Sequence, residues 1–193
     1  MNKIRFRFDQ EKLVNALAFF SKHGVAGLDR MKIAKLLFLA DRIHLLRYGR
    51  PITGDRYVCM EHGPVASVTH DLVNARLSDD PDAEIMNEYF DVGRSRTHPE
   101  LIAKREPDLD VFSETDLEVL REVVESFGQK TAWQLRDLAH EYPEIIAASS
   151  QRTEQKKKAV PIPFEVFAEE NTSLGRLLRE DQEDRSFAES LTW

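Results

Sequence analysis

Asp29-Arg30-Met31-Lys32-Ile33-Ala34-Lys35-Leu36-Leu37-Phe38-Leu39-Ala40-Asp41-Arg42-Ile43-His44-Leu45-Leu46-Arg47-Tyr48-Gly49 is the stretch on which the fold turns. Asp29 is a good N-cap residue ahead of an apolar run, and Gly49 stands just past its end. The segment therefore reads as one helix to about Tyr48, roughly 28 Å long at about 1.5 Å per residue. Its middle, Leu36 to Ala40, is apolar almost all round, and at about 100° per residue only Lys35 and Arg42 define a clearly polar edge. Other elements must cover such a helix on most sides. The expected fold is thus mostly α with a small antiparallel β element (α+β), a compact single-domain helical core around a central buried helix.

Upstream, Asp9 caps an amphipathic helix, with Phe8 and Leu13 as its hydrophobic staple, Leu13, Leu17 and Phe20 on one face and Gly24 as its stop. Downstream, Arg50-Pro51-Ile52-Thr53-Gly54-Asp55 is turn-rich. Tyr57-Val58-Cys59-Met60 reads as a short strand, and Gly63-Pro64 opens a third helix to about Leu77 with Pro64 at its first position. Glu88 to Val92 and Leu101 to Lys104 flank a connection that could close a hairpin. Ser113 with Asp116 forms a capping-box variant ahead of the stripe Leu117, Leu120, Val124 and Phe127. Thr131 caps a helix carrying Leu135, Leu138 and Tyr142, and Pro143 restarts a shorter turn through Ala148. These elements place a helical domain over residues 1–150. Residues 151–193 are expected to be a partly mobile C-terminal extension, in which Phe164 and Phe167 return onto the body and Leu174, Leu177 and Leu178 form an amphipathic turn.

In 193 residues, hydrophobic residues make up 41% and charged residues 32%, which excludes collagen-like and wholly disordered chains. Gly and Pro number only 8 each, favouring connected helices over a turn-dense sandwich. The net charge of −7 argues against a protein that coats nucleic acid. The single cysteine, Cys59, can form neither an internal disulfide nor a metal knuckle. No run of about 18 apolar residues and no signal-like start is present, so a cytoplasmic location without membrane attachment is expected.

The chemistry-bearing residues admit functional and structural readings. Asp41 and His44, three apart on the apolar side of the central helix, could join His62 and His70 as an acid–base or metal cluster. The spacing supports no metal motif. The better reading has Asp41 accepting backbone N–H groups from the turn near Gly54 while His44 packs its ring and donates one bond. Cys59 and His62 would point to opposite faces of a strand, so Cys59 reads as a small buried hydrophobe. Gly49, Gly54 and Gly63 are too far apart for a phosphate loop and read as turn and cap residues. The helix pair Ser113 to Phe127 and Thr131 to His140 could pass for a helix-turn-helix, which would make the chain a DNA-binding transcriptional autoregulator. Gln134, Arg136 and Asp137 are its main polar residues, however, and the acid opposes phosphate approach, so a packed helical hairpin fits better.

The run Lys35-Leu36-Leu37-Phe38-Leu39-Ala40-Asp41-Arg42, followed by Tyr48-Gly49-Arg50-Pro51-Ile52-Thr53-Gly54-Asp55, Tyr57-Val58 and His62-Gly63-Pro64-Val65, resembles the Panacea domain of SocA-like, phage-associated antitoxins. Thr131-Ala132-Trp133 with Leu135, Leu138 and His140 looks like that family's later motif, so the similarity spans about Glu11 to Ala148. The resemblance implies a non-enzymatic protein without a cofactor that neutralises a cognate protein toxin by direct contact. The SocA-like label also implies a proteolytic adaptor that hands the toxin to an ATP-dependent protease such as ClpXP. Asp41, Gly49, Gly54, His62, Gly63, Pro64, Trp133 and His140 would then build the scaffold. The expected toxin-binding surface is Tyr57, Met60 and Val65 around the Gly63-Pro64 corner with Tyr89 and Phe90 on the adjacent hairpin, because aromatic and Met side chains are enriched at interface anchors. The tail around Phe164, Phe167, Leu174 and Leu178 is the second candidate surface.

Overall fold

The structure, a computed structural model, describes residues 5–78, 80, 83–93 and 98–169. The Leu174, Leu177 and Leu178 turn lies outside the described residues. Helix α2 (Arg30–Tyr48) is the axis: Asp29 accepts the Lys32 N–H at 2.8 Å to start it, and Gly49 closes it. Around α2 stand α3 (Ser67–Leu77), α5 (Glu114–Phe127), α6 (Ala132–Ala139) and α8 (Phe164–Glu169). A three-stranded antiparallel sheet, β1 (Tyr57–Met60) between β2 (Gly63–Ala66) and β5 (Val160–Ile162), meets α2 through β2 and α7 (Pro143–Glu154) on its other side. Helix α1 (Gln10–Lys22) packs on α5, on α4 (Glu84–Tyr89) and on the β3 (Phe90–Val92)–β4 (Leu101–Ala103) hairpin.

The α+β class, the central helix and the capped starts of α1, α2, α5 and α6 follow the sequence reading. Other details differ for identifiable reasons. Helix α1 is buried on every side from Leu13 to Phe20 rather than amphipathic, because the β3–β4 hairpin and α4 cover the face opposite α5. Pro64 sits in β2 and not at a helix start: opposite Cys59 on an edge strand, its missing N–H costs no sheet bond, and α3 begins three residues later. The buried stripe of α5 is Asp116, Val119, Leu120 and Val123, with Leu117, Val124 and Phe127 only partly covered, so the helix is rotated from its expected face.

Helix α4 fills what reads as the first half of a strand, leaving the hairpin to Phe90–Val92. Helix α7 continues from Pro143 past Ala148 to Glu154. The Pro-containing segment after it is β5, with Pro161 opposite Val58 at the sheet edge and Val160 and Ile162 buried. Phe164 and Phe167 return onto the body as expected, and Phe167 stands 6.2 Å from Phe38 of α2. Position 150 is therefore no break in packing, since α7 runs through it and β5 and α8 complete the same core.

Candidate functional site

The quoted motif residues first build a pinned loop. Asp41 is 2% exposed, and its Oδ1 accepts the N–H groups of Ile52 (2.8 Å) and Thr53 (2.9 Å). Its Oδ2 accepts the Thr53 hydroxyl (2.6 Å) and the Tyr57 hydroxyl (2.8 Å). Burial pushes the Asp41 carboxyl above its ordinary range, against the pull of these four donors. The same burial and the Asp41 charge push the Tyr57 phenol well up, so it stays a donor. Asp55 does the matching work for α3, which has no capping side chain of its own: it accepts Val68 N (3.1 Å), Thr69 N (2.8 Å) and the Thr69 hydroxyl (2.8 Å). Between the two carboxylates, Gly54 has φ +68°, and a Cβ there would lie 2.2 Å from the Arg7 carbonyl oxygen, so the N-terminal segment can cross the loop only over glycine.

His44 does not meet Asp41, His62 or His70. Its Nδ1 lies 2.7 Å from the Arg50 carbonyl, and its Nε2 lies 3.0 Å from Asp116 Oδ1 and 3.1 Å from the Thr115 hydroxyl. His44 therefore makes more contacts than the single bond expected of it. Asp116 also holds Lys12 (2.6 Å) and Arg50 (2.9 Å) and closes the α5 capping box. Burial would raise its pKa, but bonds from His44, Lys12 and the Ser113 N–H and the Arg50 charge outweigh that and hold it well below the usual carboxylate range. Cys59 is fully buried with Sγ 3.3 Å from the Ser149 hydroxyl, whereas His62 is exposed and meets the Trp133 ring edge-on at 5.6 Å. His70 bonds Asn74 at 3.0 Å. Among the described residues no three His, Cys, Asp or Glu side chains are grouped to hold a metal ion.

The Gly63-Pro64 corner is the remaining feature. Tyr57 is buried there with its hydroxyl committed to Asp41, so it supports the corner from inside instead of presenting itself. Met60 and Val65 stay partly open. Tyr89 and Phe90 are buried under the separate β3–β4 hairpin, Tyr89 lying beneath the Arg105 guanidinium at 3.6 Å. Trp133, read from sequence as scaffold, is 52% exposed beside His62, with the Arg136 guanidinium 4.9 Å from its ring centroid. His140 faces Gly63, its Nε2 standing 3.0 Å from the place a Cβ there would take.

The reading that missed most concerns Lys35. Named with Arg42 as the polar edge of α2, it is 1% exposed and donates to the Pro64 carbonyl at 2.8 Å. One signal could have found it: a lysine inside a helix that must be covered nearly all round is itself covered. Arg42, the other marker of that edge, is half-buried against Glu144 and Tyr142.

The polar residues that a helix-turn-helix reading of α5–α6 would use are engaged within α6. Gln134 accepts the Thr131 N–H at 2.9 Å in a capping box, and Arg136 pairs with Asp137 while lying over Trp133.

A central buried helix, a loop pinned to it by Asp41 and a corner where β1 turns into β2 together define a mostly helical α+β domain, with Asp41, Gly54 and Gly63 of its motif turned inward and His62 and Trp133 turned outward. The profile of the family described as antitoxin SocA-like, Panacea domain, matches residues 33–144, and the chain belongs to that family. Comparison with curated proteins and with solved structures gave no match. Membership supports an antitoxin role with a toxin as partner and a non-catalytic protein. Among the described residues no helix is long and apolar enough to cross a membrane.

Proposed function

We propose that this chain is a cytoplasmic antitoxin that neutralises one cognate protein toxin by direct, noncovalent contact, and that it also delivers the bound toxin to an ATP-dependent protease such as ClpXP. Family membership over residues 33–144 carries the reading. Two features support direct contact as the mode. The buried carboxylates Asp41 and Asp55 are spent on the scaffold, and the buried His44–Asp116 pair ties α2 to the α5 capping box. The exposed Trp133 beside His62, with Met60 and Val65 partly open around the adjoining corner, offers the aromatic and Met side chains that anchor protein interfaces. Tyr57 stiffens that surface, and Tyr89 and Phe90 would take part only through a rearrangement of their hairpin. A stable interface of roughly 1,600 Å² in total is well within reach of a body of this size.

Expression of the neighbouring gene with and without this chain tests the reading, with growth and co-purification as readouts. Growth arrest by the neighbour alone, relieved by this chain and accompanied by co-purification, is expected; normal growth with the neighbour alone would remove the proposal. The adaptor step predicts a toxin half-life that shortens only when both this chain and ClpXP are present. A half-life indifferent to ClpXP would leave neutralisation by occlusion. Charge placed at the corner by Met60→Glu or Trp133→Glu should abolish co-purification in a still-folded chain, whereas removal of residues 170–193 should not.

A further inference from the structure

Lys35 is buried in the apolar middle of α2, and its ammonium has three donors but one acceptor among the described residues, the Pro64 carbonyl. Burial is the largest influence on it; Cys59 partly opposes that effect and Arg136 adds to it, and the pKa is brought down to about 8, so the charged form still prevails at neutral pH. Lys35 lines an open cavity of about 280 Å³. Arg30, His62 and His70 supply further cationic or titratable groups in its wall, Met60 and Val65 an apolar side, and Glu61 at the hairpin turn the one carboxylate. In a chain of net charge −7 this is a local reversal of sign.

A second, independent observation concerns Gly63. The position of a Cβ on that residue lies 3.0 Å from His140 Nε2 and 3.6 Å from Lys35 Nζ. The His140 ring and the under-bonded Lys35 ammonium thus converge beside the same hairpin turn, at φ +89°, where only glycine keeps the space open. Trp133 stands exposed next to His62, one of the residues that line the cavity.

We propose that this cavity is an anchor pocket for one acidic side chain, an aspartate or glutamate with apolar neighbours, presented by the protein partner. Its carboxylate pairs with Lys35, and its neighbours lie on Met60, Val65 and Trp133. The antitoxin reading supplies the identity of the partner, and the cavity supplies the chemistry of the contact. A single buried ammonium with two spare protons matches a singly charged carboxylate. A phosphate calls instead for the clustered guanidinium forks that are missing here, since Arg30 is held to Asn74 at 3.0 Å and Arg136 to Asp137.

The test uses the full chain with Trp193→Phe, which leaves Trp133 as its one tryptophan, titrated at pH 7 with the acetylated, amidated peptide Ala-Leu-Glu-Leu-Ala. Saturable quenching of Trp133 is expected, at least tenfold weaker for the Gln counterpart of the peptide and for Lys35→Met with the Glu peptide. The Lys35 Hε–Cε resonance of the unmutated lysine gives a readout independent of any variant's folding: it should move with the Glu peptide and stay fixed with the Gln peptide. Equal responses to the two peptides, a stationary resonance, or inorganic phosphate binding more tightly than the Glu peptide would each overturn the pocket. Neutralisation by the unmutated chain tests the antitoxin reading alone. Undiminished neutralisation by a folded Lys35→Met chain would overturn the pocket and leave that reading standing.

Discussion

Asp41 shows how one residue can hold a motif together. Four donors converge on its two oxygens, two from the backbone of the turn and two from Thr53 and Tyr57 hydroxyls, all out of water. Asp41→Ala leaves those donors unpaired and should cost on the order of 1–3 kcal/mol, read as a lower denaturation midpoint. Tyr57→Phe removes one donor and one net bond and should cost about 1 kcal/mol. An unchanged melting temperature with lost toxin binding would move Asp41 from the scaffold to the interface. The role of Asp41 was legible because a carboxylate on an apolar stripe must find donors and a turn lies within reach. Lys35 is the converse case, where the residue type suggested solvent and the helix's all-round burial should have prevailed. Its acidity makes the burial measurable. The groups facing Lys35 are Cys59 from β1, Arg136 and His140 from the α6 end, and Glu61 and His62 on the turn. A folded-state pKa of about 8, below the ordinary lysine value of 10.5, means that the unfolded chain binds the extra proton between those values. Stability should therefore rise with pH across that window relative to Lys35→Met, by roughly 1.4 kcal/mol per unit of pKa difference, in paired denaturation curves from pH 7 to 10.5.

At the scale of elements, what could be read from the sequence was whatever is encoded within a turn or two of chain. The caps at Asp9, Asp29, Ser113 and Thr131 are local hydrogen bonds, so the starts of α1, α2, α5 and α6 follow from sequence alone. Pro64 and β5 are decided by pairing across the chain. Pro64 is tolerated as a strand residue because β2 is an edge, and β5 is a strand because β1, about a hundred residues earlier, offers it a partner. Helix α3 borrows its cap from Asp55 outside the element, a signal that spacing within the helix cannot carry. Asp116 belongs to both kinds: its capping box is local, while its bonds to Lys12, His44 and Arg50 tie α5 to α1, α2 and the turn after it. Asp116→Asn should therefore cost on the order of 1–3 kcal/mol at neutral pH, since it removes the charge that partners the partly exposed Lys12 and Arg50 and weakens the bond to His44. The native carboxyl is depressed, so its contribution is complete above the unfolded pKa near 4 and is lost as pH falls through the native value. The gap between the two chains should thus narrow on acidification, in urea unfolding followed from pH 7 to pH 3.

At the scale of the whole molecule, the family motif and the folded body are not the same length of chain. The profile match ends at 144, yet Val160, Ile162, Phe164 and Phe167 are buried with residues of α2 and β1 in one core. The return of Phe164 and Phe167 was legible, but the strand Val160–Ile162 was not, because the segment is short, charged at its start and interrupted by prolines, and its apolar residues gain meaning only once β1 is in place to receive them. Phe164 meets Phe6 edge-on at 5.0 Å, and Phe167 lies against Phe38, so both ends of the described chain close over the same helix. The corner that carries Met60 and Val65 is built on β1 and β2, and β1 is held on its other side by β5. Stability of the closing segment should therefore be inseparable from the shape of the proposed binding surface. Phe167→Ala, 2% exposed in the native chain, should cost 3–5 kcal/mol through lost transfer energy and a residual cavity. Unfolding followed by Trp133 fluorescence in the Trp193→Phe chain and by far-ultraviolet circular dichroism should give one coincident transition in both the native and the Phe167→Ala forms. Two separated transitions, with the second insensitive to Phe167, would mean that the segment after α7 folds apart from the helical body and that the corner does not depend on it.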